Sequence, residues 1–330
     1  MARSATWWLS IPCSSRSLLP SASRPLIPTS SPTKKRVCSR GVRSELTFSV
    51  GTHLIPHPKK ADTGGEDAFF VSSYNGGVLA VADGVSGWAE RNINPALFSR
   101  ELMANASHFV MDEEVNYDPQ ILLRKAHAAT SSRGSATVII AMLEKSGTLK
   151  IANVGDCGLR VLRKGRVVFA TSPQEHYFDC PFQLSSEIIG QTYQDATVCS
   201  IELAEGDTIV MGSDGLFDNL FDHEIASVIS RFQDVVEAAK ALADLANNHS
   251  LDATFDSPYS IEARNRGFDV PLWKKILGRK LTGGKLDDIT VIVGKVINLP
   301  NNRNDVNYPK TEEEKEPCKT EEQLGIRDTE

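Results

Sequence analysis

Short apolar runs bounded by glycine or charged residues recur along the middle of this chain. Four of them are rich in β-branched residues and too short for helices, as buried strands are. They lie at 78–82, 137–143, 208–211 and 289–293. The pattern over 149–171 predicts a meander, with a glycine-containing turn at 163–166.

Helix signals separate these strands. Asn94-Pro95 and Asp118-Pro119 each place a capping side chain before a proline, a residue favoured at the first helical position. Apolar residues recur at helical spacing after Asp222, and 235–246 continues as another helix. Because adjacent strands are followed by paired helices, the sequence predicts an α+β sandwich rather than a doubly wound parallel sheet.

The two ends of the chain differ in composition from its body. Residues 1–44 contain many Ser, Arg and Pro and no acidic residue, which is typical of a transit peptide and favours the chloroplast. An ordinary basic disordered tail is the alternative. Residues 299–330 are almost free of apolar side chains, which predicts a flexible acidic tail. The folded domain is therefore expected at 45–298.

Several classes of function are disfavoured by the same composition. The body is acidic, with a net charge of −6 for the whole chain and no basic stripe, which argues against a nucleic-acid partner. No run approaches the roughly 18 apolar residues of a transmembrane segment. The six cysteines form no C-x-x-C pair, and no nucleotide-binding glycine motif occurs.

Aspartates stand at the ends of the strand-like runs, although aspartate is a poor strand residue. They include Asp67, Asp83, Asp156, Asp214 and Asp287. Carboxylates and backbone carbonyls are the ligands that Mg²⁺ and Mn²⁺ prefer, and two such ions roughly 3.5–4 Å apart activate water against a phosphate ester. The chain has no G-x-S-x-G and no phosphatase-type cysteine motif. The sequence therefore predicts hydrolysis by metal-activated water.

Six motifs follow one another in a characteristic order. They are Gly65-Glu66-Asp67, Val81-Ala82-Asp83-Gly84-Val85-Ser86-Gly87, Gly134-Ser135-Ala136-Thr137, Asn153-Val154-Gly155-Asp156, Gly212-Ser213-Asp214-Gly215-Leu216-Phe217-Asp218 and Asp287-Asp288-Ile289-Thr290. The series, over about residues 50–297, resembles that of type 2C (PPM) metal-dependent serine/threonine phosphatases. The resemblance implies two antiparallel sheets flanked by helix pairs, with metals in a cleft at one end.

The stretches 60–70 and 175–184 resemble the organellar branch of that family. With the leader, the chain is similar to plant chloroplast phosphatases that act on the photosystem II core. This resemblance implies a stromal enzyme that removes phosphate from phosphothreonine or phosphoserine. Its expected substrates are photosystem II core subunits at the stromal thylakoid surface.

The resemblance also implies roles for individual residues. Asp83 would bridge two ions, the Gly84 carbonyl would bind one, and Asp214 and Asp287 would hold the other. Asp67, with Glu66 beside it, would bind directly or through water, and Asp67, Asp83, Asp214 and Asp287 would act on the reaction through the metal-bound water. Asp156 and Asp218 match positions that hold a third, weaker ion. Asp288 stands where many members have asparagine, and is interpreted as a cap beside the ligand. Mn²⁺ and Mg²⁺ suit the same ligands.

Two positions depart from the family pattern. Val85 replaces a histidine proposed to protonate the leaving group, so the general acid is unknown, with His176 as a candidate or a structural residue. Asp62 replaces an arginine that holds the phosphate, and Lys59 or Lys60 are candidate substitutes or solvated surface residues. Because of these two losses, a catalytically silent, metal-binding docking module is an alternative function. The metal motifs alone are also compatible with a hydrolase of small-molecule phosphate esters.

Overall fold

The computed structural model describes residues 45–187, 190–271, 275 and 278–299. The predicted transit peptide and all but Leu299 of the predicted tail lie outside the described residues.

Two antiparallel sheets form the centre of the fold. The strands of the first sheet are β1 Leu46–Ile55, β6 Gly158–Arg163, β7 Arg166–Ala170, β12 Thr208–Gly212 and β13 Ile289–Asn298, in the order β1-β13-β12-β6-β7. Those of the second are β2 Ala68–Ser72, β3 Gly77–Gly84, β4 Ser135–Leu143, β5 Thr148–Val154, β10 Leu184–Ser185 and β11 Thr197–Glu202. Their order is β11-β5-β4-β3-β2, with β10 on β4. A small hairpin joins β8 Glu175–Tyr177 to β9 Cys180–Pro181.

Helices cover the outer face of each sheet. The α-helices are α1 Pro95–Phe109, α2 Pro119–Ala129, α3 Asp214–Phe217, α4 Asp222–Arg231, α5 Val235–Leu251 and α6 Pro258–Asn265. Helices α1 and α2 pack on the second sheet, and α5 packs on β1 and β13 of the first. Short 3₁₀ helices lie at Pro58–Thr63, Ser86–Arg91 and Tyr193–Asp195. The predicted α+β sandwich is therefore correct, as a four-layer arrangement of helices, two sheets and helices.

Strand β3 shows how alternation builds this sandwich. Leu79 and Val81 are buried between the two sheets, whereas Val78, Ala80 and Ala82 are buried under α1 and α2. Successive side chains of a strand point to opposite faces, so a strand with helices on one face and a sheet on the other must be apolar throughout. This requirement explains the continuous apolar runs in the sequence.

The predicted boundary signals are present in the structure. Asn94 Oδ1 accepts a hydrogen bond from the Ala96 N–H, and Asp118 caps α2 in the same way. In the predicted 163–166 turn, Lys164 and Gly165 have φ of 51° and 73°, as a type I′ hairpin requires. Helix α5 extends five residues beyond the predicted end at 246.

Helix α5 lies against the backbone of β1 at Gly51. A Cβ atom at this position would lie 2.2 Å from the Val235 carbonyl oxygen, so the helix packs directly on the strand backbone. Among the described residues, no helix combines the length and apolar character needed to span a membrane.

Candidate metal centre

The predicted ligand residues come from both sheets and meet at one end of the sandwich. From the second sheet, Glu66 and Asp67 directly precede β2, Asp83 and Gly84 end β3, and Asp156 follows β5. From the first sheet, Asp214 and Asp218 lie at the two ends of α3, directly after β12, and Asp287 precedes β13. Beyond the effect of burial, the negative charges of Asp67, Asp214, Asp287 and Asp156 are near enough to raise the pKa of Asp83. The structure thus brings together residues that are more than 200 positions apart in the chain.

Asp67 is 3% exposed, and its two carboxylate oxygens have different surroundings. Oδ2 accepts a 2.7 Å hydrogen bond from the Thr290 hydroxyl group, whereas Oδ1 is buried and has no hydrogen-bond partner among the described residues. Buried carboxylate oxygens are normally paired or bound to a cation. The free oxygen of Asp67 therefore fits a metal ligand.

Asp214 repeats this arrangement from the opposite sheet. Its Oδ2 lies 2.6 Å from the Lys285 ammonium nitrogen, and its buried Oδ1 makes no hydrogen bond within the described part of the chain. In metal sites, outer partners of this kind fix the orientation of a ligand while its other oxygen binds the ion. Thr290 and Lys285 are such outer partners here.

The crowding of carboxylates changes their proton affinities. Burial, followed by the charges of Asp67, Asp214 and Asp287, raises the pKa of Asp83 well above its ordinary value. Burial raises the pKa of Asp67 to about 7, and burial followed by the charge of Asp214 raises the pKa of Asp287 to about 7. This excess of negative charge favours the binding of divalent cations.

Among these aspartates, Asp214 differs because the charge of Lys285 lowers its pKa. Burial alone would raise the pKa of Asp214, but the Lys285 ammonium group holds it below its ordinary value. Burial raises the pKa of Asp218 to about 7 despite the opposing effect of Lys285, and burial raises the pKa of Asp156 well above its usual range.

Lys60 is the second lysine within the carboxylate cluster. Its ammonium nitrogen lies 2.6 Å from Glu66 Oε2, 3.0 Å from Ser86 Oγ and 3.3 Å from Asp288 Oδ2. Burial would lower the pKa of Lys60, but the hydrogen bond to Glu66 and the nearby aspartates raise it above its ordinary value. Lys59 is exposed, and its N–H donates to His57 Nδ1. Of the two lysine candidates, the structure places Lys60 in the cleft.

Several carboxylates of the cluster are paired with Lys60 or Lys285. As the side chains stand in the described ranges, no three carboxylate, imidazole or thiolate groups converge to enclose one ion. The fit to divalent ions rests instead on two buried oxygens that have no hydrogen-bond partner there, Asp67 Oδ1 and Asp214 Oδ1. The other donors, Asp83, Asp156 and Asp287, are partly exposed carboxylates, the ligand type that Mg²⁺ and Mn²⁺ prefer.

Asp288 has a structural position beside the ligands. It is 1% exposed, and its carboxylate accepts hydrogen bonds from the His57 N–H at 2.7 Å and the Glu66 N–H at 2.8 Å. These bonds attach the residues before β2 to the start of β13. The capping role inferred from the sequence agrees with these contacts.

The two positions that depart from the family pattern also have clear places. Val85 and His176 line a cavity of about 600 Å³ next to the cluster, together with Trp88. The exposed His176 ring packs 4.5 Å from Phe182, and its Nε2 lies 3.1 Å from Gln191 Nε2. Asp62 is exposed.

Comparison with known proteins decides the family. A family profile described as Protein phosphatase 2C matches residues 59–254. The chain belongs to the protein phosphatase 2C family. Members of this family are serine/threonine phosphatases, and the chain is accordingly an enzyme of this hydrolase class.

Plant relatives of this phosphatase are close in sequence. It is 72% identical over 257 residues to "Probable protein phosphatase 2C 1" of Oryza sativa subsp. japonica, covering 78% of each chain. It is 66% identical over 256 residues to "Probable protein phosphatase 2C 26" of Arabidopsis thaliana, covering 78% of this chain and 86% of the relative.

Solved structures give the same result for the fold. The photosystem II phosphatase PBCP is 72% identical and superposes with a TM-score of 0.75, covering 76% of this phosphatase and 100% of that chain. The catalytic domain of PstP, solved with two manganese ions, is 18% identical with a TM-score of 0.54. It covers 77% of this phosphatase and 100% of its own chain, and supports the fold alone.

Two residues of the cleft were not identified from the sequence. Thr290 lies within a predicted motif but was not recognised as the partner of Asp67. Lys285 lies two residues before Asp287, and a lysine so close to a predicted metal ligand is the signal that could have identified it.

Proposed function

We propose that this phosphatase hydrolyses phosphothreonine and phosphoserine in proteins with two bound Mn²⁺ or Mg²⁺ ions. One observation carries the proposal. Asp67 and Asp214 come from opposite sheets, and each has one carboxylate oxygen held by an outer partner and one buried oxygen that is free. This arrangement supports a cation between the sheets.

The ligand roles follow from the family resemblance, and the places of these residues around that position support them. Asp83, whose carboxylate is close enough to Asp67 and Asp214 to feel both charges, would contribute to holding both ions. The Gly84 carbonyl would help to hold one ion, and Asp214 with Asp287 would hold the other. A Cβ at position 84 would lie 2.7 Å from the Glu66 carbonyl oxygen, so glycine alone allows this backbone approach. Glu66 and Asp67 would bind the ions directly or through water.

The chemistry that such ions supply when bound is a water of lowered pKa and neutralisation of the phosphate charge. The chain's own residues position the reactants. Lys60 provides the cation that binds the phosphate in place of the family's arginine, since it is the cleft lysine nearest Ser86 and Glu66. Asp288 holds the Glu66 backbone and so keeps this group in place.

We assign the general acid to water and His176 to packing. The His176 side chain is engaged by Phe182 and Gln191, which supports a structural role in the cavity wall. Because His176 lines the same cavity as Val85, it is the residue to substitute when the alternative, a histidine general acid, is tested. A His176→Gln variant that keeps the wild-type pH profile of kcat supports this assignment, and loss of the basic limb contradicts it.

The substrate proposal rests on similarity. The 72% identity to the photosystem II phosphatase PBCP supports phosphorylated photosystem II core subunits as substrates. The same similarity, together with the transit-like leader, supports the chloroplast stroma as the location. The direct test is dephosphorylation of isolated phosphorylated thylakoids by the full chain. Core subunits should lose phosphate first, and equal loss from all phosphoproteins would contradict this selectivity.

A substrate panel separates the remaining classes of function. The full chain with Mn²⁺ should release phosphate from phosphothreonine peptides at least about tenfold faster, in kcat/KM, than from sugar phosphates. The reverse order would indicate a small-molecule hydrolase. Binding of Mn²⁺ and of phosphopeptide without turnover would indicate a docking module.

A further inference from the structure

Lys285 occupies the centre of an acidic pocket beside the proposed two-metal site. Its ammonium nitrogen lies 2.6 Å from Asp214 Oδ2, 2.9 Å from Asp218 Oδ2 and 3.2 Å from Asp179 Oδ1. Asp214 and Asp218 stand at the two ends of α3, whereas Asp179 lies in the turn of the β8–β9 hairpin. A single ammonium group thus joins three carboxylates from two parts of the fold.

The backbone of Lys285 is fixed by a fully buried side chain. The Lys285 N–H donates to Asn219 Oδ1 at 2.9 Å, and Asn219 Nδ2 donates to the Lys285 carbonyl at 2.8 Å. The ring of Tyr259 lies 5.2 Å from the ammonium nitrogen, and its hydroxyl group donates to Asp179. These contacts hold both ends of the lysine, so its position is set by the fold.

The position matters because Asp156 and Asp218 are the residues predicted to hold a third, weaker ion. The Asp218 oxygen that faces this pocket already contacts the Lys285 ammonium group. A divalent ion bound there would lie within contact distance of the Lys285 ammonium group, and like charges at such short range repel each other. The donors at this position therefore do not fit a third divalent ion while Lys285 is present.

We propose that Lys285 is a built-in cation that takes the place of a third divalent ion in this phosphatase. The proposal rests on the two-metal function, since it adds a limit to the number of ions bound. Lys285 acts as a positioning residue: it orients Asp214 and holds Asp179 of the β8–β9 hairpin. The charge on this side of the cleft then stays constant when the concentration of free metal changes.

The test is to count the Mn²⁺ ions bound by the full chain, using equilibrium dialysis and elemental analysis at saturating Mn²⁺. Wild type and Lys285→Arg should each bind two ions. Lys285→Met removes the charge but keeps the length of the side chain, and should gain one further ion. Adding Asp218→Asn to Lys285→Met should remove that gain. Lys280→Met, which removes an exposed lysine nearby, is the matched control and should bind two.

Three bound ions in the wild-type chain would overturn the proposal. This result needs no variant, so the proposal can be tested even if Lys285→Met fails to fold. A folded Lys285→Met chain that still binds two ions would overturn it as well. A wild-type chain that binds no Mn²⁺ would instead contradict the proposed two-metal function. The proposal about Lys285 depends on that function and would then be rejected as well. Circular dichroism establishes that each variant is folded before ions are counted.

Discussion

The hydroxyl group of Thr290 on β13 donates a 2.7 Å hydrogen bond to Asp67 Oδ2, across the gap between the two sheets. This bond links a carboxylate of the second sheet to a strand of the first. It leaves the buried Asp67 Oδ1 without a hydrogen-bond partner in the described structure. The relative position of the two sheets therefore sets the position of a proposed metal ligand.

Thr290→Val should weaken metal binding. The substitution removes the hydroxyl group that fixes Asp67 and that helps to lower its pKa. Loss of an outer partner of this kind reduces metal affinity by roughly 10- to 100-fold. Isothermal titration with Mn²⁺ measures the effect. Thr290→Ser keeps the hydroxyl group and should bind as wild type does, so equal affinities for Val and Ser variants would contradict the role of this bond.

Lys60→Met should lower the rate of phosphate hydrolysis, whereas Lys59→Met should not. Lys60 lies in the cleft and contacts Glu66 and Ser86, but Lys59 is exposed. Removing a charged donor that acts on the reacting group costs about 10²-fold in rate. Steady-state kinetics on one phosphothreonine peptide compares the two variants. Equal losses in both variants would assign the effect to general surface charge.

The stabilisation by Mn²⁺ should grow as the pH rises from 6 to 8. The carboxyl groups of Asp67 and Asp287 have pKa values of about 7 in the fold, raised from 3.8. Between about pH 4 and 7 the unfolded chain ionises while the folded chain keeps these protons, so the metal-free fold loses stability over this range and levels off above it.

Metal binding requires the ionised carboxylates and therefore competes with protons below pH 7. Thermal unfolding in Mn²⁺ and in EDTA, at pH 6 and at pH 8, measures the stabilisation. The Tm difference should be larger at pH 8. An identical difference at both values would mean that these two carboxyl groups do not bind the metal.

Gly51→Ala should destabilise the fold by about 3 kcal/mol. The added methyl group would lie 2.2 Å from the Val235 carbonyl oxygen and would force α5 away from β1. Gly87→Ala is the control, because a methyl group there meets no atom within 4 Å. Urea unfolding of both variants gives the two free energies. A cost below about 1 kcal/mol for Gly51→Ala would show that α5 can shift freely.

The sequence predicted the parts of the fold that depend on local patterns. Asn94 and Asp118 signal helix starts through their own capping bonds, and Gly165 signals a turn through its backbone conformation. Strand β1 was not predicted, because only Leu46 and Gly51 of its ten residues are buried, with α5 on one side and the core between the sheets on the other. Tertiary contacts of this kind leave only a weak alternation in the sequence.

The candidate site divides in the same way. The aspartates could be identified as candidate metal ligands from the sequence, because so many carboxylates at the ends of strand-like runs are unusual. The different environments of Lys59 and Lys60 could not be predicted, because the sequence alone does not distinguish two adjacent lysines. The 3₁₀ helix Pro58–Thr63 places only Lys60 against Glu66. The contact of Lys285 with Asp179 depends on a hairpin more than 100 residues away.

The most direct test of the two-metal account is phosphate release from a phosphothreonine peptide by the full chain, with Mn²⁺, Mg²⁺ or EDTA. We expect turnover with either ion, none in EDTA, and a loss of at least about 10³-fold in Asp83→Asn and Asp214→Asn, with Asp244→Asn on the α5 surface unaffected. Turnover that persists in EDTA, or that survives both substitutions, would contradict the account.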